Sequence, residues 1–294
     1  MEAYYGAVEA GGTKFRCGVG TSEGEWLAET RIETTDPEET LAAVVDFFKS
    51  SGKPIVSIGV GSFGPLDLDE ASPSFEQITT TPKPGWTGAD IPGSLREALH
   101  VPVTLDTDVN AAALGEHRWG AGRGLSVVLY LTIGTGIGGG LVVLGQPVHG
   151  LVHPEMGHIL IPVDAAGDFP GICPFHGNCF EGLASGPAMK ARWGQPPERL
   201  PANHPAWEEE ARIISAALHN FICIASPQRI ILGGGVMHQN GLFQSIRQKL
   251  SASLNDYVRS PALHGRIDEY VVPPALGDRA GLAGGLVLAW GARR

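Results

Sequence analysis

The chain has 294 residues, 43% hydrophobic and 18% charged, proportions of an ordinary globular protein with length for about two domains. Its 31 acidic residues outnumber the 21 basic ones, the net charge is -10, and no run of Lys and Arg occurs. That balance excludes nucleic acid and an anionic membrane surface as main partners but leaves room for a phosphorylated small molecule, which needs only a few local donors.

The opening MEAYYGAVEAGG has no basic-then-apolar signal pattern, and no apolar stretch reaches the ~18 residues of a spanning helix. A cytoplasmic protein is expected, with its four cysteines, Cys17, Cys173, Cys179 and Cys223, reduced. Strands are predicted at 4–8 and 15–20. A helix follows over 37–50, with Asp36 as its N-cap and Pro37 at its first position. A strand at 55–60, a helix at 91–100, a strand at 103–106 and an Ala-rich helix at 111–119 come next. The second half reads as strands at 127–133 and 141–144, a helix at 207–225, a strand at 229–232, and helices at 242–258 and 279–290. Strands alternate with helices, so the fold class is α/β.

Glycine is frequent, with 41 residues, and clusters at Gly11–Gly12, Gly134–Gly140 and Gly233–Gly235, each after a short apolar run. The first two clusters share an arrangement of strand, Gly/Thr turn, strand. Such a repeat suggests a duplicated, two-lobed molecule with a cleft between the lobes. We set the smaller N-terminal lobe at 1–112 and the larger lobe at 113–278, with the last helix, 279–294, packing back onto the first.

A phosphate group needs backbone N–H donors that it can approach closely, which glycine allows, and Thr adds a hydroxyl. Gly11, Gly12, Thr13 and Lys14 suit that role, as do Thr135 and Gly136; the bland alternative is two tight hairpin turns. The Walker pattern is absent. Gly134-x-Gly136-x-x-Gly139 matches the dinucleotide pattern formally, but it opens a strand and not a helix. Gly233, Gly234 and Gly235 follow another strand and offer either a flat surface for a nucleoside or a close packing turn.

Asp106-Thr-Asp-Val-Asn110 follows a strand and precedes a helix, the place where α/β sheets carry ligand-facing carboxylates. Phosphoryl transfer needs an Asp to accept the proton of the attacking hydroxyl, and Mg²⁺ held by carboxylates and phosphate oxygens. Asp108 suits the base, and Asp106 or Glu9 suits an Mg²⁺ contact through water. The competing reading makes Asp108 or Asn110 a plain helix cap.

Cys173-Pro-Phe-His176-Gly-Asn-Cys179 puts two thiols and an imidazole within seven residues, three of the four ligands of a structural Zn²⁺ site. His149, His153 and His158 are candidates for the fourth. We choose His158, in the compact turn Glu155-x-x-His158. The alternatives are a redox pair of Cys173 and Cys179, or inert residues.

Taken in order, these segments resemble the ROK family (repressors, unclassified reading frames and kinases), and within it the bacterial fructokinases. The resemblance rests on Glu9-Ala-Gly-Gly-Thr-Lys14, Ser62-Phe-Gly-Pro-Leu66, Pro84-Gly-Trp86, Asp108-Val-Asn-Ala-Ala-Ala-Leu-Gly-Glu116 and Thr132-Ile-Gly-Thr-Gly-Ile-Gly-Gly139. It continues through His153-Pro-Glu-Met-Gly-His158, the Cys173–Glu181 segment, Gly233-Gly-Gly235 and Gly277-Asp-Arg-Ala-Gly281. It implies an actin-like, ribonuclease-H-like duplicated fold, a homodimer, and transfer of the ATP γ-phosphate to a hexose, with fructose ahead of glucose, mannose or an N-acetylated amino sugar. It implies Asp108 as the base. It places Gly11, Gly12, Thr13, Lys14, Thr135 and Gly136 on the ATP phosphates and Gly233–Gly235 on the nucleoside. Gly64, Pro65, Asn110, Glu155, His158 and Glu181 fall on the sugar side, with Zn²⁺ on His158, Cys173, His176 and Cys179.

The chain departs from the family pattern at Glu9, where Asp is frequent. It also departs at Thr79-Thr-Thr-Pro-Lys-Pro84, which lacks the Asn of glucokinase-type members, and at His176, which replaces a cysteine. It opens on its first strand without the DNA-binding helix pair of the repressors. A non-catalytic sugar sensor remains the rival from another class.

Overall fold

The computed structural model describes residues 3–162 and 168–291. Expected lobe limits at 1–2 and 292–294 lie outside the described residues. The chain divides into two compact units, one formed by Met1–Gly124, Gly145–Pro154 and Ala275–Arg294, the other by Leu125–Leu144 and Glu155–Pro274.

The first unit is built on the sheet β3-β2-β1-β4-β5, comprising β1 (Tyr4–Ala10), β2 (Lys14–Gly20), β3 (Trp26–Glu33), β4 (Ile55–Ser62) and β5 (Val103–Thr107). β1–β2 and β2–β3 pair antiparallel, whereas β4 runs parallel to β1 and β5 parallel to β4. β3 is absent from the sequence reading. Its residues alternate half-buried and exposed, with no fully buried face, because it is the edge strand. Helix α1 (Pro37–Ser50) begins where Asp36 accepts a hydrogen bond from Glu39 N–H, and α2 (Ile91–Leu99) ends at His100 in the left-handed conformation.

Helix α3 (Asp108–Trp119) starts three residues earlier than its Ala-rich run predicts. Its small residues pack on the C-terminal helix (Ala280–Gly291), so closely that a Cβ on Gly284 would collide with the Ala111 carbonyl. The boundary expected near 112 therefore falls inside a helix that stays whole within this unit. Glu116, fully buried at the end of α3, accepts from the N–H groups of Ala121 (2.7 Å), Ala275 (3.1 Å) and Leu276 (2.8 Å). The short strand β8 (Gln146–Pro147) also belongs to this unit.

In the second unit β10 (Val271–Val272), β9 (Arg229–Gly233), β6 (Val127–Ile133) and β7 (Ile137–Val143) lie side by side. β6 and β7 form an antiparallel hairpin and β9 runs parallel to β6, the arrangement that β2, β1 and β4 show in the first unit. The structure extends β7 back to Ile137, through glycines that the sequence reading assigned to a turn. Gly139 pairs with Leu131, and a Cβ there would meet Met156 Sδ at 2.5 Å, so its neighbours require the missing side chain. The helix Leu242–Leu254 stops four residues short of expectation, at Asn255 in the left-handed conformation. The core of this unit gathers Leu129, Leu131, Phe180, Ile214, Leu218 and Ile246, among others.

Candidate active site

In the first unit the Gly11–Lys14 turn joins β1 to β2. Gly11 N–H donates to Lys14 O (3.0 Å), and a Cβ on Gly11 would stand 2.8 Å from that oxygen, so glycine is required for the turn itself. A Cβ on Gly12 would meet nothing within 4 Å, and Thr13 is exposed. Gly12 and Thr13 are thus the members of the turn with open surroundings.

The segment from Asp106 to Asn110 carries β5 into α3. Thr107 is the N-cap, its Oγ1 accepting from Asn110 N–H at 3.1 Å. The plain-cap reading of Asp108 and Asn110 is corrected: a third residue caps, because only Thr107 has extended backbone next to the first turn. Asp108 opens the helix, and its Oδ1 accepts from Val109 N–H (2.9 Å). Asn110 is buried and donates through Nδ2 to Asp106 Oδ1 (2.8 Å), while its Oδ1 is enclosed with no hydrogen-bond partner among the described residues. Asp106 Oδ1 also accepts from Thr107 N–H (2.7 Å), and Oδ2 faces His149 Nε2 at 2.9 Å. Both Asp106 oxygens are therefore engaged. The hydrogen bond to Asp106 raises the His149 pKa above its ordinary value.

Glu9 sits at the end of β1 against the C-terminal helix, where a Cβ on Gly281 would lie 2.8 Å from its carboxyl carbon. The side chain is 30% exposed, yet Oε2 is enclosed without a hydrogen bond among the described residues; the Arg16 guanidinium stands 3.8 Å away. Burial, seconded by the charge of Asp108 and opposed by Arg16, pushes Glu9 up to about 7. Gly64 and Pro65 follow β4 through a cis peptide, and Pro65 O accepts from Thr79 N–H (2.8 Å) and Thr79 Oγ1 (3.1 Å).

In the second unit the β6–β7 turn holds Thr135, which is exposed, and Gly136. Gly134 N–H donates to Gly136 O (2.9 Å), and Ile137 N–H donates to Glu181 Oε2 (2.9 Å). Glu181, in the short helix Phe180–Ala184, is thereby fixed beside the glycine turn. Glu155 precedes and His158 ends the one-turn 3₁₀ helix Met156–His158, pressed so tightly on β7 that a Cβ on Gly157 would collide with Ile137 O. Gly233 and Gly234 are required by packing against Tyr130 and Ile133, whereas Gly235 is exposed in open space.

The same unit assembles His158, Cys173, His176 and Cys179, whose ligand atoms all lie within 4.8 Å of one another. His158 Nδ1 is 3.7 Å from Cys173 Sγ and 3.5 Å from Cys179 Sγ, and His176 Nδ1 is 3.6 Å from Cys173 Sγ. Tetrahedral zinc with Zn–S of about 2.3 Å and Zn–N of about 2.0–2.1 Å has ligand-to-ligand edges of about 3.3–3.8 Å, so these three separations and the chemistry of the donors fit that ion. Burial pushes the Cys179 thiol up to about 11, and a cation would be required to hold it as thiolate at neutral pH. His149, an alternative fourth ligand on sequence grounds, is instead committed to Asp106. That pairing joins positions 43 residues apart, and nothing in their sequence spacing signals it.

The family model for the ROK family matches residues 5–292. A fructokinase of Zymomonas mobilis is 45% identical over 97% of this chain and 96% of its own length. A fructokinase of Pediococcus pentosaceus is 42% identical over 97% and 96%. Among solved structures, the ROK hexokinase from Thermus thermophilus superimposes with a TM-score of 0.80 at 26% identity, over 98% of both chains.

Proposed function

Because this chain belongs to the ROK family, we propose that it is an ATP-dependent hexose kinase that phosphorylates D-fructose, at the 6-hydroxyl, with Asp108 as the base. The observation that carries the base assignment is the division of labour at the start of α3. Thr107 performs the capping, so Asp108 is not the cap residue but stands in the first turn, where β5 runs into α3.

Asp108 accepts the proton of the attacking sugar hydroxyl as the γ-phosphate leaves ADP. Gly12 and Thr13, with Thr135 and Gly136, supply donors to the phosphates; Gly11 shapes its turn and Lys14 adds charge beside it. Gly235 lies against the nucleoside, with Gly233 and Gly234 setting the bend. Gly64, Pro65, Asn110, Glu155, His158 and Glu181 contact or support the sugar. Mg²⁺ offsets the phosphate charge when bound; of the two carboxylates considered for it, Asp106 has both oxygens engaged, which leaves Glu9. His158, Cys173, His176 and Cys179 would hold Zn²⁺, which would stiffen the segment leading into the helix that carries Glu181. Fructose is favoured over glucose by the high identity to fructokinases and by the absence of Asn before Pro84-Gly-Trp86. By the same kinship we place the protein in the cytoplasm as a homodimer, which sedimentation would check.

The deciding experiment is a coupled assay with ATP and Mg²⁺ across fructose, glucose, mannose and N-acetylated amino sugars. The proposal requires the highest kcat/KM with fructose and a 6-phosphate product. Turnover of glucose but not fructose would overturn the sugar assignment, and binding without turnover of any sugar would favour a sensor.

A further inference from the structure

The Gly11–Lys14 turn is held from outside by one residue that the sequence reading passed over. Thr34 follows the edge strand β3 and is buried. Its N–H donates to Thr13 O at 3.1 Å, extending the β2–β3 ladder past its last pair, Lys14 with Glu33. Its hydroxyl then does something the ladder does not require: Oγ1 donates to Gly11 O at 2.8 Å. With Gly11 N–H already closing on Lys14 O, both flanks of Gly12 are fixed. The open position at Gly12 is thus presented on a turn whose shape does not depend on a ligand.

Thr34 is anchored on its far side as well. Its carbonyl accepts from Lys83 Nζ at 2.9 Å, a charge-assisted hydrogen bond. The neighbouring Thr35 carbonyl accepts from Trp86 Nε1 at 2.9 Å, and Trp86 is fully buried between Phe15 and Phe63. Lys83 and Trp86 belong to the segment 79–86, which joins Pro65 through Thr79. One threonine therefore links the backbone of the phosphate-side turn to the segment behind Gly64 and Pro65.

We propose that Thr34 is a positioning residue for ATP, holding the Gly11–Lys14 turn in its phosphate-receiving shape, with Lys83 as the second arm of the same clamp. The proposal rests on the kinase reading above. Fixing the turn beforehand removes an ordering cost that binding would otherwise meet. A residue of this kind changes affinity for ATP while leaving sugar affinity alone, which a residue that merely supports the fold does not do.

The test is Thr34→Val, which keeps the shape and removes the hydroxyl, alongside Thr34→Ser, which keeps the hydroxyl, and Lys83→Met. Each is read by steady-state kinetics, by calorimetric titration with MgATP alone, and by thermal melting. Losing one such hydrogen bond is expected to raise the ATP KM and Kd of Thr34→Val about threefold to tenfold, with the hexose KM within about twofold of wild type. Thr34→Ser restores wild-type values, and Lys83→Met shifts ATP affinity in the same direction by less. Unchanged ATP affinity in folded Thr34→Val overturns the proposal, as does an equal rise in both KM values that serine fails to rescue. If Thr34→Val does not fold, wild-type ATP affinity in Lys83→Met overturns it. If the wild type binds MgATP but phosphorylates no hexose, the kinase reading fails while the titrations still decide the role of Thr34. If the wild type binds no ATP, both fall.

Discussion

His149 Nε2 stands 2.9 Å from Asp106 Oδ2, tying the segment after β8 to the turn that delivers Asp108. His149 is 36% exposed and Asp106 only 5%, so the pair sits at the edge of the buried turn and is partly screened by water. The His149 pKa is raised in the folded state, chiefly by the hydrogen bond to Asp106. The stabilisation is then fully present below the ordinary pKa of about 6.5 and is lost as pH rises through the folded value. His149→Ala should cost roughly 0.5–1 kcal/mol at pH 6 and less at pH 9. Melting curves of both proteins at the two pH values check this; a gap that widens at pH 9 would contradict it.

Asp108→Asn keeps the size of the side chain and removes the proton acceptor. The variant should melt as the wild type does and bind sugar normally, with kcat lower by about 10²–10⁴-fold, the range of general-base catalysis. Near-wild-type turnover would remove Asp108 from the role.

Glu9 has its pKa raised to about 7, with burial as the leading cause. The folded protein holds a proton there that the unfolded chain releases above about 4.5, so this group's contribution declines as pH rises from about 4.5 to about 7. Glu9→Gln should flatten that part of the stability profile and be more stable than wild type at pH 8 without ligand, by on the order of 1–3 kcal/mol. Denaturant titrations at pH 5 and pH 8 read the difference. A variant with the same pH slope as wild type would show that Glu9 is not the group responsible.

The Cys173 cluster should carry one zinc per chain, read by elemental analysis of the purified protein. Cys173→Ser should lose most of that metal, and a strong chelator should lower the melting temperature of the wild type more than that of the variant. A wild type without stoichiometric zinc, or one indifferent to chelation, would argue for inert thiols.

Glu116 presents one buried carboxylate to three backbone N–H groups. Glu116→Ala removes the buried acceptor that these three N–H groups share and should cost about 2–4 kcal/mol, measurable by denaturant unfolding. An effect below about 1 kcal/mol would mean that water or a shifted backbone replaces the carboxylate.

Local chemistry made much of this molecule legible from residues alone. Asp36 and Pro37 mark the start of α1, and the apolar run 127–133 marks β6 to the residue, because caps and buried strands are written in contiguous side chains. The Cys173–Cys179 spacing likewise announced a metal-type cluster, since three of its four donors lie within one short segment. The edge strand β3, the extension of β7 into its glycines, the Thr107 cap, the pairing of His149 with Asp106 and the hold of Thr34 on Gly11 were decided only by tertiary structure. Apart from the Thr107 cap, whose partner Asn110 lies three residues on, these depend on a partner far along the chain or on space that a distant side chain fills, such as Met156 over Gly139 or Ile137 O over Gly157. A glycine reads the same in sequence whether it faces a ligand or a neighbouring strand. Which of the two holds is set by close packing, which only the folded chain possesses.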